Sequence, residues 1–133
     1  MIIVAKNAEG RGDINFALSM ANLDGYYYKP RIDLELLFNI PKDNVIVTSA
    51  CVAGWNYEDA EDIWLKIHDY FGDNFFLEVQ YHNTDKQKEL NKKILQIAKK
   101  HNIQIICGLD SHYVEEENSI KRDQILKYKN INY

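Results

Sequence analysis

Four short runs rich in β-branched and aromatic residues punctuate the chain, at Ile2–Ala5, Val45–Thr48, Phe75–Tyr81 and Ile103–Ile106, and helical periodicity fills the gaps between them. Short runs of this kind, bounded by turn residues, read as strands. Strands alternating with amphipathic helices read as crossover units with parallel pairing. The first helical stretch covers about Arg11 to Asn22, with Ile14, Ala17, Leu18 and Ala21 on one face, and Asp24-Gly25 ends it. Asp33 is placed to cap a short helix over Leu34 to Phe38. Asn56 is expected to cap a third, with Glu58 and Asp59 in its first turn and Ala60, Ile63, Trp64, Ile67 and Phe71 as its apolar stripe. Thr84 and Gln87 have capping-box spacing ahead of Leu90, Ile94, Ile97 and Ala98. A last helix, about Glu115 to Lys129, carries acids at its start and lysines at its end, as the helix dipole prefers. The expected architecture is α/β, with parallel strands alternating with helices. It forms an open sheet or part of a (β/α) barrel, because four strands are too few for the common eight-stranded closure.

The strand ends hold the chemistry. Asp110 and His112 follow the fourth run two residues apart, and the strand period would point both to one side. In α/β folds the C-terminal strand ends are where ligands and metals are usually held, and Asp with His suits zinc, manganese or iron. The competing reading is a polar strand end with a solvent-facing histidine. Cys51 falls at the corresponding end of the second run, either as a ligand or as a small buried residue in a tight turn. His82 ends the third run and is a further candidate for the same face, or a polar loop residue. Cys107 lies inside the last run and is expected in the core, while His68 and His101 belong to helix surfaces or boundaries.

Tyr26-Tyr27-Tyr28-Lys29-Pro30-Arg31 reads as an extended loop whose rings cover a barrel rim. Lys29 and Arg31 are candidates for a phosphate contact, against the alternative of a solvated loop. Ser49 has no evident base partner, so a nucleophilic hydrolase is poorly supported. No glycine-rich phosphate loop is present. The net charge of −4 gives no electrostatic footprint for nucleic acid, so DNA is expected to be gripped elsewhere if it is a partner. No apolar run is long enough to span a membrane, and no secretory signal opens the sequence. With two cysteines expected as free thiols, the chain reads as one cytoplasmic domain.

Taken together, the motifs resemble the PHP (polymerase and histidinol phosphatase) domain of bacterial-type DNA polymerase III alpha subunits. Val4-Ala5-Lys6-Asn7 with Gly10 is similar to that family's strand ending in Ala-Lys-Asn. Gly25-Tyr26-Tyr27-Tyr28-Lys29-Pro30-Arg31 resembles its Gly-Phe-Tyr-Tyr-Lys-Pro-Arg segment. Thr48-Ser49-Ala50-Cys51-Val52-Ala53-Gly54 is similar to its Ser-Gly-Cys-Leu-Ala-Gly turn, with Ala50 where Gly is usual and Trp55 where Glu often follows. Phe71-Gly72-Asp73-Asn74-Phe75 through Gln80, with His82, and Asp110-Ser111-His112-Tyr113 complete the series.

The resemblance implies a distorted seven-stranded (β/α) barrel with several divalent metals, zinc, manganese or magnesium, at its C-terminal strand ends. It assigns Cys51, Asp110 and His112 as metal ligands, while His82, Lys29 and Arg31, singled out above from the residues themselves, stay weaker candidates near the site. The family's other ligands lie in an upstream segment, including a His-x-His strand, so the chain corresponds to the C-terminal part of the domain. Its implied partners are that N-terminal segment and the rest of the polymerase, with DNA reached only through the parent protein. In that parent the domain would hydrolyse phosphodiesters as a proofreading 3′–5′ exonuclease. The chain by itself is expected to be inactive. The alternatives are a stand-alone metal-dependent phosphoesterase and an inert scaffold for a replication partner.

Overall fold

A computed structural model describes residues 1–56 and 58–129. The elements run β1 (Ile2–Ala5), α1 (Ala8–Leu23), α2 (Leu34–Phe38), β2 (Val45–Thr48), α3 (Ala60–Phe71), β3 (Phe75–Gln80), α4 (Asp85–His101), β4 (Gln104–Gly108) and α5 (Asn118–Tyr128). Single 3-10 turns at Lys42–Asn44, Val52–Trp55 and Gly72–Asn74 lead into or out of strands.

The caps explain most of the boundaries. Asn7 accepts from the Gly10 N–H at 2.7 Å, which starts α1 three residues before the expected Arg11. Asp33 accepts from the Leu36 N–H at 2.8 Å, as its position ahead of α2 predicts. Thr84 accepts from the Gln87 N–H, but the Gln87 side chain turns to Asn91, so the capping box is half formed. Asn56 does not cap α3. It follows the turn Val52–Trp55 and accepts from Lys86 Nζ at 3.1 Å, and α3 begins after Asp59 without a side-chain cap.

The strands form one open sheet in the order β1-β2-β3-β4. β2, β3 and β4 are parallel, as the alternation of strands with single helices requires. β1 departs from the parallel expectation: it runs antiparallel to β2, pairing Ile2 with Thr48 and Ala5 with Val45. The reason is the connection. Two helices, α1 and α2, separate these strands, so the chain goes out and comes back to the end of the sheet it left. The Lys6 N–H, bonded to the Asn44 carbonyl at 2.8 Å, extends that pairing.

One face of the sheet carries the core. Val45 and Val47 of β2 and Phe75 and Leu77 of β3 are buried with Trp64, Ile67 and Phe71 of α3 and Ile94, Ile97 and Ala98 of α4. The opposite face presents Ile2, Val4 and Ile106, which are 49%, 50% and 42% exposed. Cys107, expected in the core, is exposed as well, because among the described residues β4 is an edge strand paired with β3 alone. No residue of α5 is buried.

Two glycines of α1 should respond oppositely to alanine. Gly10 is buried, and a Cβ there would run into the backbone carbonyl of Asn44, which cannot swing aside. Gly12 has nothing within 4 Å of an added Cβ. Gly12→Ala is expected to raise stability by up to about 1 kcal/mol through helix propensity. Gly10→Ala should lower it by about 1–3 kcal/mol through overpacking. Urea unfolding of both variants checks the pair, and equal signs would contradict the tight seat of α1 on the turn before β2.

Candidate functional site

The parallel strands β2, β3 and β4 end on the same edge of the sheet, in Thr48, Gln80 and Gly108. From there the chain turns into Ser49-Ala50-Cys51, Tyr81-His82 and Leu109-Asp110-Ser111-His112. Two of these turns need left-handed backbone at residues with a Cβ: Ala50 has φ 54° and Asp110 has φ 49°. An aspartate tolerates that region better than most residues. The strand-period argument for Asp110 and His112 therefore does not apply, since β4 stops at Gly108 and the left-handed turn sets their directions.

The two side chains meet nonetheless. His112 Nε2 lies 3.6 Å from Asp110 Oδ1, and His82 Nε2 lies 3.8 Å from Asp110 Oδ2. One imidazole thus faces each carboxylate oxygen, in an open cleft of about 380 Å³ that Tyr81, Tyr113 and Arg122 also line. Side-chain exposures of 39% for His82, 35% for Asp110 and 47% for His112 leave the group accessible to ligands from outside the chain.

Cys51 stands apart. It precedes the 3-10 turn Val52–Trp55, is half-buried, and does not line the cleft. Lys29 and Arg31 belong to the loop after α1 and do not line it either, and Arg31 sits over the Tyr27 ring at 5.1 Å. Among the described residues, no three His, Cys, Asp or Glu side chains are grouped to hold one metal ion. The N···O separations around Asp110 approach those of neighbouring ligands on a shared ion bonded at about 2.0–2.2 Å. Each oxygen, however, has a single imidazole opposite it, where a structural zinc site uses four donors. The residues present fit part of a metal site and not a whole one.

A polar network missed by the sequence reading lies just below the strand ends. Glu78 is 7% exposed and accepts from Thr48 Oγ1 and from Gln80 Nε2, both at 2.8 Å. Its own N–H donates to Ser49 Oγ at 2.9 Å, and the Ala50 N–H donates to Thr48 Oγ1 at 3.2 Å. Gly108 lies against the Glu78 carboxylate with no room for a Cβ. Glu78 therefore bonds to the turn that leads to Cys51 and packs against Gly108, two residues before Asp110. The signal was present: Phe76, Glu78 and Gln80 alternate on one side of β3, so polar residues share a face inside an apolar run.

Comparison with known proteins agrees with this architecture. The PHP domain model matches residues 1–82, which include Cys51 and His82. DNA polymerase III subunit alpha of Aquifex aeolicus is 34% identical over 125 residues, covering 88% of this chain and 11% of the relative. The same subunit of Treponema pallidum is 34% identical over 135 residues, 95% of this chain and 12% of the relative, and that of Thermus aquaticus is 29% identical over 134 residues, 95% and 11%. The chain thus spans about a ninth of the length of these relatives and aligns with their PHP region. Among the described residues no helix is long and apolar enough to cross a membrane. With the family model covering 82 of the 133 residues, on an α/β sheet whose parallel strands end together at a carboxylate and two imidazoles, the chain belongs to the PHP domain family.

Proposed function

We propose that this chain is the C-terminal part of the PHP domain of a DNA polymerase III alpha subunit and supplies half of a divalent-metal site for phosphodiester hydrolysis. The observation that supports this most is the Asp110 carboxylate, with His82 and His112 facing its two oxygens where the parallel strands end. In this reading Asp110 and His112 are ligands, His82 supports Asp110, and Cys51, which lies outside that cleft, is a ligand to another ion of the completed multinuclear site. Further donors come from an N-terminal segment of the domain carried on a separate chain or on the same longer one. In the parent protein the completed site would serve 3′–5′ exonuclease proofreading in a cytoplasmic replicase.

Zinc and manganese titrations of the chain, with and without that N-terminal segment as a second polypeptide, test the reading. Weak binding by the chain alone is expected, with an affinity gain of at least about 100-fold when both pieces are present, since missing donors and their supports typically weigh 10–100-fold each. Cys51→Ser and His112→Ala should each remove that gain. Equal, weak binding under both conditions would contradict the half-site. The chain alone should hydrolyse no phosphodiester, and a nuclease rate abolished by Asp110→Asn would contradict that part.

A further inference from the structure

The loop between α1 and α2 carries a second group of side chains, remote from the strand-end cleft in sequence and in lining. Tyr26, Tyr27 and Tyr28 are 61%, 63% and 81% exposed, and Lys29 beside them is exposed as well. Three adjacent tyrosines left in water are unusual, since each ring carries a large apolar area. The loop is also held in shape. The Tyr27 N–H donates to the Lys29 carbonyl at 3.1 Å and the Arg31 N–H donates to the Gly25 carbonyl at 3.2 Å. At the root of the loop the Arg31 carbonyl leaves no room for a Cβ on Gly25. Tyr28 sits at φ 58°, a left-handed conformation that an aromatic residue adopts only when its surroundings impose it. Tyr27 and Tyr28 pack edge to face with centroids 4.7 Å apart, and the Arg31 guanidinium covers the Tyr27 ring. Tyr27 thus has two packing partners, while Tyr28 keeps most of its surface in solvent.

We propose that this loop is a stacking platform for an unpaired nucleic-acid strand, taking one base on the Tyr28 ring and the neighbouring phosphate on Lys29. Base–aromatic stacking uses an exposed π-face and tolerates any base, and Lys29 next to Tyr28 supplies a cation for the adjoining phosphate. Pre-ordering of the loop removes part of the entropy that binding would otherwise lose. The local charge limits the site to a nucleotide or two. Asp24, Asp33 and Glu35 share a cavity wall with Arg31, offsetting its charge, and the whole chain carries −4. Stacking must therefore provide most of the affinity, and that sets the test apart from general electrostatic binding. The inference is independent of the metal half-site.

Fluorescence anisotropy of a labelled single-stranded oligothymidylate, titrated with the 133-residue chain, tests it. Binding should weaken about 5- to 150-fold in Tyr28→Ala and be retained in Tyr28→Phe, because the ring and not the hydroxyl is used. An abasic strand of equal length should bind more weakly by a similar factor. The slope of log K against log salt should be shallow, about −0.7 for one phosphate contact on a single strand. Equal affinity for the abasic strand, or a slope of several, would place the binding elsewhere and overturn the proposal. No binding in a titration reaching millimolar protein would overturn it too, and would leave the tyrosines to a protein partner.

Discussion

Phe75→Ala should lower the unfolding free energy by about 3–5 kcal/mol, the range for deleting a fully buried phenylalanine side chain. Phe75 opens β3 with no exposed surface, pairs with Val47 of β2, and stacks on Trp64 of α3 at 6.0 Å with an interplanar angle of 20°. His68 approaches the same ring at 6.2 Å. The position therefore joins two strands and a helix, and truncation leaves a cavity that neither strand can close without breaking the parallel ladder. A domain of this size has a total stability of about 5–15 kcal/mol, so the variant should lie near the unfolding threshold at room temperature. A urea midpoint lower by more than about 1 M, with an unchanged slope, is the expected reading. Phe16→Ala is the control: Phe16 is 61% exposed on α1, and its loss should stay within about 0.5 kcal/mol. A Phe75 variant as stable as the Phe16 variant would mean that β3 is not the centre of the sheet.

The contrast between β3 and its neighbours also shows what a sequence of this kind discloses. Strand identity follows from local composition, and the runs at Val45, Phe75 and Ile103 become strands within a residue or two of their expected ends. Burial and direction do not follow from composition. Ile105 and Ile106 have the side chains of a buried strand, yet they are 41% and 42% exposed because β4 ends the sheet. Strand order is a non-local property that no window of residues contains. The reversal of β1 has a local trace, since two helical segments rather than one precede Val45, but the short α2 is easily counted as part of a loop.

The candidate site divides the same way. Asp110 and His112 were visible because they follow an apolar run, and their approach to His82 depends on a left-handed turn at Asp110 that only the fold displays. Cys51 looked equivalent to them by position, and the turn at Ala50 leaves it outside the cleft. In sequence Glu78 and Gln80 read equally well as the solvent-facing side of a strand, so composition does not disclose the Glu78 network. The burial of Glu78 goes with the close approach of Gly108, two residues before Asp110.

That approach leads to a coupled prediction. Glu78→Ala leaves the Thr48 hydroxyl and the Gln80 amide without their acceptor in a buried setting, at a cost of about 2–4 kcal/mol. Gly108→Ala should cost a similar amount by a different route. Its Cβ would occupy the place of the Glu78 carboxylate, which must swing out and give up both hydrogen bonds. In a backbone already lacking the carboxylate, the same methyl enters vacated space and opposes nothing. The double variant should therefore be no less stable than Glu78→Ala alone, giving a coupling energy of about 2–4 kcal/mol in the direction of mutual compensation, well above the scatter of independent sites. Urea unfolding of the four proteins in the cycle measures it. Additive losses would show that Gly108 is small for some reason other than Glu78. Compensation would show that the glycine exists to admit the carboxylate, so that the strand leading to Asp110 is shaped around the same buried group that bonds the turn leading to Cys51.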